Sequence, residues 1–352
     1  MSELTPQHIL EQFRYVWQVD KEFTEPLEDG FCWWPGHHKV TVRCEQQGPD
    51  GESDAWRVTV TTEYAKGVDL SDPKILRLLG SAAVLAPSYG WVYAPPKVNG
   101  KYDLPQDGGI SFKSSVYIRP ETADWLPRFF ARVVVMQPVD AERLGAAEFL
   151  QMLGGEADRG GPRVAKPDHL LDDILNVAQV VFAPAGQESS RWSGSDEFGD
   201  IAERFGRSDM SFGNGGPEGL TLETPFGSSS ALVRCHNDVR HPALGSGLLT
   251  SIQLPVFDTD EATLETCAWL NFFASVSWTG VPVLGSWHAK EVCEGQFAPA
   301  YGTFIPNALY APGLATNLAL WGIGLARWSR QALWPELEDL SMREILQARL
   351  GS

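Results

Sequence analysis

Short stretches of this chain occur twice, in the same order, and that recurrence argues for a duplicated fold. Pro6-Gln7-His8-Ile9-Leu10 returns as Pro167-Asp168-His169-Leu170-Leu171, and both open an apolar pattern of helical spacing. Val42-Arg43-Cys44 returns as Val233-Arg234-Cys235, each triplet ending an alternating run that reads as a half-buried strand. A second strand follows in both places, at 56–62 and at 248–254. Two apolar helices come next, at about 72–85 and 260–276. Each leads into an aromatic and glycine turn followed by a strand, at Tyr89-Gly90-Trp91-Val92 and Trp278-Thr279-Gly280-Val281. Finally Phe112, Pro120, Ala123 and Leu126 match Phe304, Pro312, Ala315 and Leu318 at one constant spacing. These positions spell a strand, a turn and an amphipathic helix, with Leu314, Leu318, Trp321, Leu325 and Trp328 along one stripe.

The repeating unit therefore reads α-β-β-α-β-β-α, with room for an extra short strand. Strands at hairpin-like spacing, separated by long helices, predict an α+β fold: two tandem domains, each an antiparallel sheet packed by helices. A length of 352 residues agrees with two cores rather than one. The first domain is expected over 1–153. The glycine-rich, charged stretch 154–166 reads as the linker, and the second domain as 167–352. The second copy carries an insertion within 187–219, rich in Ser, Gly and Asp, with a short helical candidate from Glu197 to Phe205.

Charge and cysteine usage narrow the function classes. With 28 basic and 45 acidic side chains the net charge is −17, which argues against nucleic acid or an anionic membrane as partner. A basic protein segment suits it better; a role in solubility alone is the plainer alternative. The five cysteines, Cys32, Cys44, Cys235, Cys267 and Cys293, are scattered and form no CxxC pair, as in a reducing compartment. The N-terminus shows no secretory pattern, and the apolar stretch 314–325 is too short to span a bilayer, so a cytoplasmic location is expected.

The order of elements resembles the type III secretion chaperone-like fold, and within it the bacterial YbjN-like family. The resemblance rests on the unit order and on its ending, Gly302-Thr303-Phe304-Ile305 through Tyr310-Ala311-Pro312-Gly313 to the helix from Leu314. The helix Leu264-Glu265-Thr266-Cys267-Ala268-Trp269-Leu270-Asn271, followed by a strand from Val281, is also similar. It implies an acidic, non-enzymatic protein that captures extended protein segments without a cofactor. It also implies a pair of units formed within one chain, with a homodimer as a further option.

No catalytic or metal motif is complete. His37-His38, near Cys32 and Cys44, lack the paired spacing of structural zinc and read as exposed turn residues. Cys235-His236 with His241 offers at most three ligands on a loop. Ser71-Asp72-Pro73-Lys74 matches SxxK without its companion motifs and reads as a helix cap. The acids of Asp258-Thr259-Asp260-Glu261 stand where a helix starts and favour its dipole. Gly213-Asn214-Gly215-Gly216 reads as a loop end, and Gly245-Ser246-Gly247 as a hairpin turn. Among thirteen tryptophans, Trp33, Trp34, Trp91, Trp192 and Trp287 fall near turns or strand ends and are the candidate partner contacts. The rival expectation is an enzyme or small-molecule binder whose site lies between the two domains and uses His236, Asp238 or His241.

Overall fold

The computed structural model describes residues 5–46, 54–85, 89–93, 97–98, 101–102, 108–144, 147–158, 192, 197–206, 212–216, 218–241, 244–275 and 282–333. Helices packed on two antiparallel sheets, one of seven strands and one of six, give the α+β fold read from the sequence. The first unit runs α1 (Pro6–Trp17), β1 (Thr24–Leu27), β2 (Gly30–Trp33), β3 (Val40–Gln46), β4 (Trp56–Val68), α2 (Pro73–Leu85) and β5 (Gly90–Tyr93). A separate small hairpin of β6 (Lys97–Val98) and β7 (Lys101–Tyr102) leads to β8 (Gly108–Ile118). Then follow α3 (Leu126–Val133), α4 (Met136–Leu144), α5 (Ala147–Leu153) and β9 (Glu156–Ala157). The second unit shows α6 (Glu197–Gly206), β10 (Phe212–Gly216), β11 (Gly219–Phe226), β12 (Ser229–His241) and β13 (Gly245–Gln253). It ends with α7 (Asp260–Ser275), β14 (Ser286–Cys293), β15 (Gln296–Pro306) and α8 (Leu314–Leu333).

The sheets share one topology. The first has the order β1-β2-β3-β4-β8-β5, with β9 beside the far end of β4, and the second β10-β11-β12-β13-β15-β14. Among the described residues each unit thus has four strands before its central helix, not two. Two of the missed strands contain the glycines that the sequence reads as turns. Gly30–Trp33 is β2, and only the residues after Trp34 turn into β3. The glycines at 213–216 lie in β10, paired with β11, instead of ending a loop. A Cβ on Gly215 would stand 2.3 Å from the Phe198 carbonyl oxygen, so glycine is what lets α6 lie directly on this strand. Gly245 to Gly247 likewise begin β13. Part of the expected linker is ordered too: Gly154, at φ +67°, ends α5, and β9 pairs with β4.

The repeat match is correct at β3 and β12 but slips at the last strand. Val42 pairs with Val60, and Val233 with Ile252, so those strands correspond as the sequence implies. Val60 then pairs with Ser114, whereas Ile252 pairs with Tyr301. The counterpart of Phe304 is therefore Tyr117, not Phe112. An odd slip exchanges the faces of a strand, so local similarity here did not report spatial equivalence. The expected helix at 167–178, the aromatic turn at 278–281 and most of the segment 159–196 lie outside the described residues.

Burial follows the amphipathic patterns. Phe13 and Trp17 of α1 pack edge to face, Trp17 stacks on Trp33 at 5.4 Å, and its indole nitrogen donates to the Ala131 carbonyl at 2.8 Å. On α8 the stripe holds: Leu314, Leu318 and Leu325 are buried, and Trp321 and Trp328 pack against the same core. Each such buried leucine contributes about 2 kcal/mol by area removed from water. No helix among the described residues is long and apolar enough to cross a membrane.

The two units exchange contacts across a common junction. The α2 helix of the first packs on β14 of the second, and α7 of the second packs on β5 of the first. Residues 283–286 join both sheets. Val283 exchanges two backbone hydrogen bonds with Ser115 of β8, at 2.8 and 2.9 Å. Three residues later Ser286 begins β14. Its hydroxyl accepts from the Trp91 backbone N–H at 2.8 Å and donates to the Tyr89 carbonyl at 3.2 Å. Arg77 of α2 pairs with Asp260 of α7, the Nε–Oδ2 distance being 2.6 Å.

Candidate binding cleft

The C-terminal end of α2 overhangs the outer face of the second sheet and leaves a cavity of about 430 Å³ there. Val84 of the first unit forms its lip and is 53% exposed. Beneath lie Leu249 of β13, Arg234 and His236 of β12, and His288 and Lys290 of β14. Strand geometry explains the grouping. Alternate residues share a face, so Arg234 and His236 project together, as do His288 and Lys290. Ala300 and Gly302 of the intervening β15 keep the floor low between them.

This lining reverses the charge of the chain. Among the described residues none that lines the cavity is acidic, although acids outnumber bases by 45 to 28 in the whole sequence. Partial burial, with Arg234 and Lys290 close by, holds the His236 imidazole below its ordinary range, so it is mainly neutral at pH 7. Burial, reinforced by Lys290, pushes His288 down to about 4 against a backbone hydrogen bond that works the other way. Arg234 spends one contact on Gln253, at 3.4 Å. The cleft thus offers Arg234, Lys290, two neutral imidazoles and an apolar wall. Another hollow, of about 550 Å³ below the start of α1, mixes Glu28, Asp29 and Glu45 with Arg14, and its Asp29 is already paired with Arg43 at 2.6 Å.

Of the residues proposed for a site between the units, only His236 lines this cleft. His241 lies against Phe304 and accepts from the Leu244 N–H at 3.1 Å. Pairing of His236 with Leu249 and of His241 with Gly245 sets them at separate positions along β12, roughly 15 Å apart at the rise of a strand. Between them Asp238, at φ 54°, sits in a bulge that re-aims the strand.

The five candidate tryptophans are interior residues. Trp33, Trp34, Trp91, Trp192 and Trp287 are 0–5% exposed. Turns and strand ends lie close to the cores here, so sequence position misjudged their exposure; their indoles present no surface to a partner in this conformation. The histidine pair also differs from expectation. His38 is buried against Tyr64, its Nδ1 facing the carbonyls of Glu63 and Asp158, and only His37 is exposed. Backbone N–H groups of both histidines and the His37 ring converge on the Glu142 carboxylate, at 2.6, 3.0 and 3.0 Å. They anchor α4 to the turn before β3.

The remaining motifs are structural. Asp72 caps α2 by accepting from the Lys74 N–H at 2.8 Å, while Ser71 binds Asp69, so the capping reading holds with Asp72 as the cap. Asp260 of the acidic cluster is engaged by Arg77. Among the described residues no group of three or more His, Cys, Asp or Glu side chains could hold a metal ion, and all five cysteines are free thiols. Sequence reasoning missed Arg234, Leu249, His288 and Lys290 as site residues. Their only signal was a polar strand face, which reads equally as solvent-exposed surface.

No protein-family model matches the chain, and no curated protein or solved structure matches it either.

Proposed function

We propose that this chain is a non-enzymatic binding protein of the chaperone or adaptor class, in which two units pair within one chain to capture a segment of a protein partner. The observation that supports it is the cleft built by both units: a helix of the first roofs a sheet face of the second, and the space between stays open. A trough floored by strand residues and walled by apolar side chains suits an extended segment, whose side chains alternate in the same way. The acidic exterior would steer a partner with basic flanks, and added salt should then slow association. Five free thiols fit a reducing, cytoplasmic setting.

The test is selection of displayed peptides on the full chain, repeated on a Val84→Trp variant whose fold is checked by thermal melting. Val84 is exposed at the lip, so an indole there fills the cleft without disturbing a core. The reading expects enriched peptides on the native protein and their loss on the variant. Peptides that bind both proteins equally, or none at all, would defeat it. The volume also suits a small molecule, the second reading. Native mass spectrometry of protein purified from its own cells would reveal that ligand as a bound mass, absent from Val84→Trp.

A further inference from the structure

Resting on the segment-capture reading, we infer that the cleft recognises an acidic residue of the partner, seated between Arg234 and Lys290 with apolar neighbours against Leu249 and Val84.

Three observations carry this. First, the described lining of the cleft holds Arg234, Lys290, His236 and His288 and, among the described residues, no acidic side chain, in a chain of net charge −17. A surface drawn at random from this sequence would be acidic. Second, among the described residues the cations are not consumed by ion pairs of their own: Arg234 makes a long contact to the neutral amide of Gln253, and Lys290 is exposed at the rim. Elsewhere the basic residues of the fold do find acids, as Arg43 does with Asp29 and Arg77 with Asp260. Third, apolar side chains line the cleft together with the cations: Leu249 and Ala300 share the sheet face of Arg234 and Lys290. An isolated phosphate would leave that apolar wall wet, and a wholly apolar segment would leave the guanidinium desolvated without a partner.

The opposite sign of the exterior does not forbid such a ligand. At physiological salt the screening length is about 8 Å, so a carboxylate inside the cleft feels the adjacent cations more than distant surface acids. His236 and His288 stay mainly neutral at pH 7 and can donate or accept beside the carboxylate without adding repulsion among the cations. The inferred anchor is therefore a glutamate or aspartate between branched aliphatic residues.

The probe is a dye-labelled hexapeptide with one central glutamate flanked by leucine and valine, compared with twins carrying glutamine or lysine at the centre. Fluorescence anisotropy with the full chain at 0.15 M salt should show the glutamate peptide binding about three- to tenfold more tightly than its glutamine twin, the range expected for a partly exposed charge-assisted pair. Arg234→Gln and Lys290→Gln, each shown to melt like the native protein, should erase the preference for glutamate over glutamine. If peptides selected on the open cleft bind but glutamine or lysine at the centre does as well as glutamate, the acidic anchor is refuted and segment capture survives. If no peptide of any charge binds, both fall. Dimerisation in sedimentation that Val84→Trp abolishes would assign the cleft to a second copy and likewise overturn the inference.

Discussion

Replacing Ser286 with alanine removes a single oxygen from the place where the two units meet. That hydroxyl is 1% exposed and bridges two backbone groups of the other unit, the N–H of Trp91 and the carbonyl of Tyr89. Alanine fits the same space, so no strain or large cavity is introduced. What changes is that one donor and one acceptor lose their partner out of reach of water. An orphaned buried group costs about 1–3 kcal/mol, so the pair should cost about 2–4 kcal/mol, allowing for partial relaxation. Ser329→Ala supplies the control. Ser329 is 0% exposed, but its hydroxyl only back-bonds to the Leu325 carbonyl of the same helix, at 2.8 Å. That carbonyl retains its helical partner, so the loss should stay below about 1 kcal/mol. Urea unfolding followed by tryptophan fluorescence measures both. Ser286→Ala should lower the midpoint well beyond Ser329→Ala and separate the transition into two steps, because the lost bonds join the units. Equal losses in the two variants, with a single unbroken transition, would show that the junction bond is not the coupling described.

Two further outcomes follow from buried acids. Glu142→Ala leaves the backbone N–H groups of His37 and His38 without their acceptor and should cost about 2–3 kcal/mol; hydrogen exchange at those amides should quicken, whereas an unchanged exchange rate would contradict the clamp. Asp140, whose carboxyl accepts from the Tyr89 hydroxyl at 3.2 Å, is pushed by burial from 3.8 to about 6. Its ionisation opposes folding, so its contribution is complete below pH 4 and is lost as pH rises through 6, by about 1–3 kcal/mol. Asp140→Asn should flatten the stability profile between pH 4 and 7, measured by urea midpoints across that range; a profile as steep as that of the native protein would refute the assignment.

Elements with strong local signals were legible in the sequence. The helices α2 and α7 start within a residue of their expected positions because Asp72 caps one and acids open the other. The stripe of α8 found its sheet because apolar periodicity alone specifies that face. Features decided by distant neighbours were not legible. Gly30 belongs in a strand because the Val42 carbonyl approaches to 1.9 Å of where a Cβ would be, a contact that no window around Gly30 contains. The register of β15 depends on its partner β13, so the matching of Phe304 to Phe112 could not reveal the slip. The cleft is the extreme case. Its lining is drawn from α2, β12, β13, β14 and β15, so no single stretch carries its pattern.

Residues 283–286, stitched into one sheet by backbone and into the other three residues later, also bear on how such a chain can be divided. A cut between the units would bare the outer edge of β8 at Ser115 and leave the Trp91 N–H unsatisfied. It would also strip Arg57 and Lys113 of the Ser275 carbonyl at the end of α7, to which they donate at 3.2 and 2.6 Å. The first half would then carry a raw strand edge beside two newly uncovered cations, a combination that invites self-association. Gene fission, limited proteolysis or an engineered split would therefore yield halves that persist together or aggregate apart, and the tandem arrangement would be held in place by solubility as much as by function.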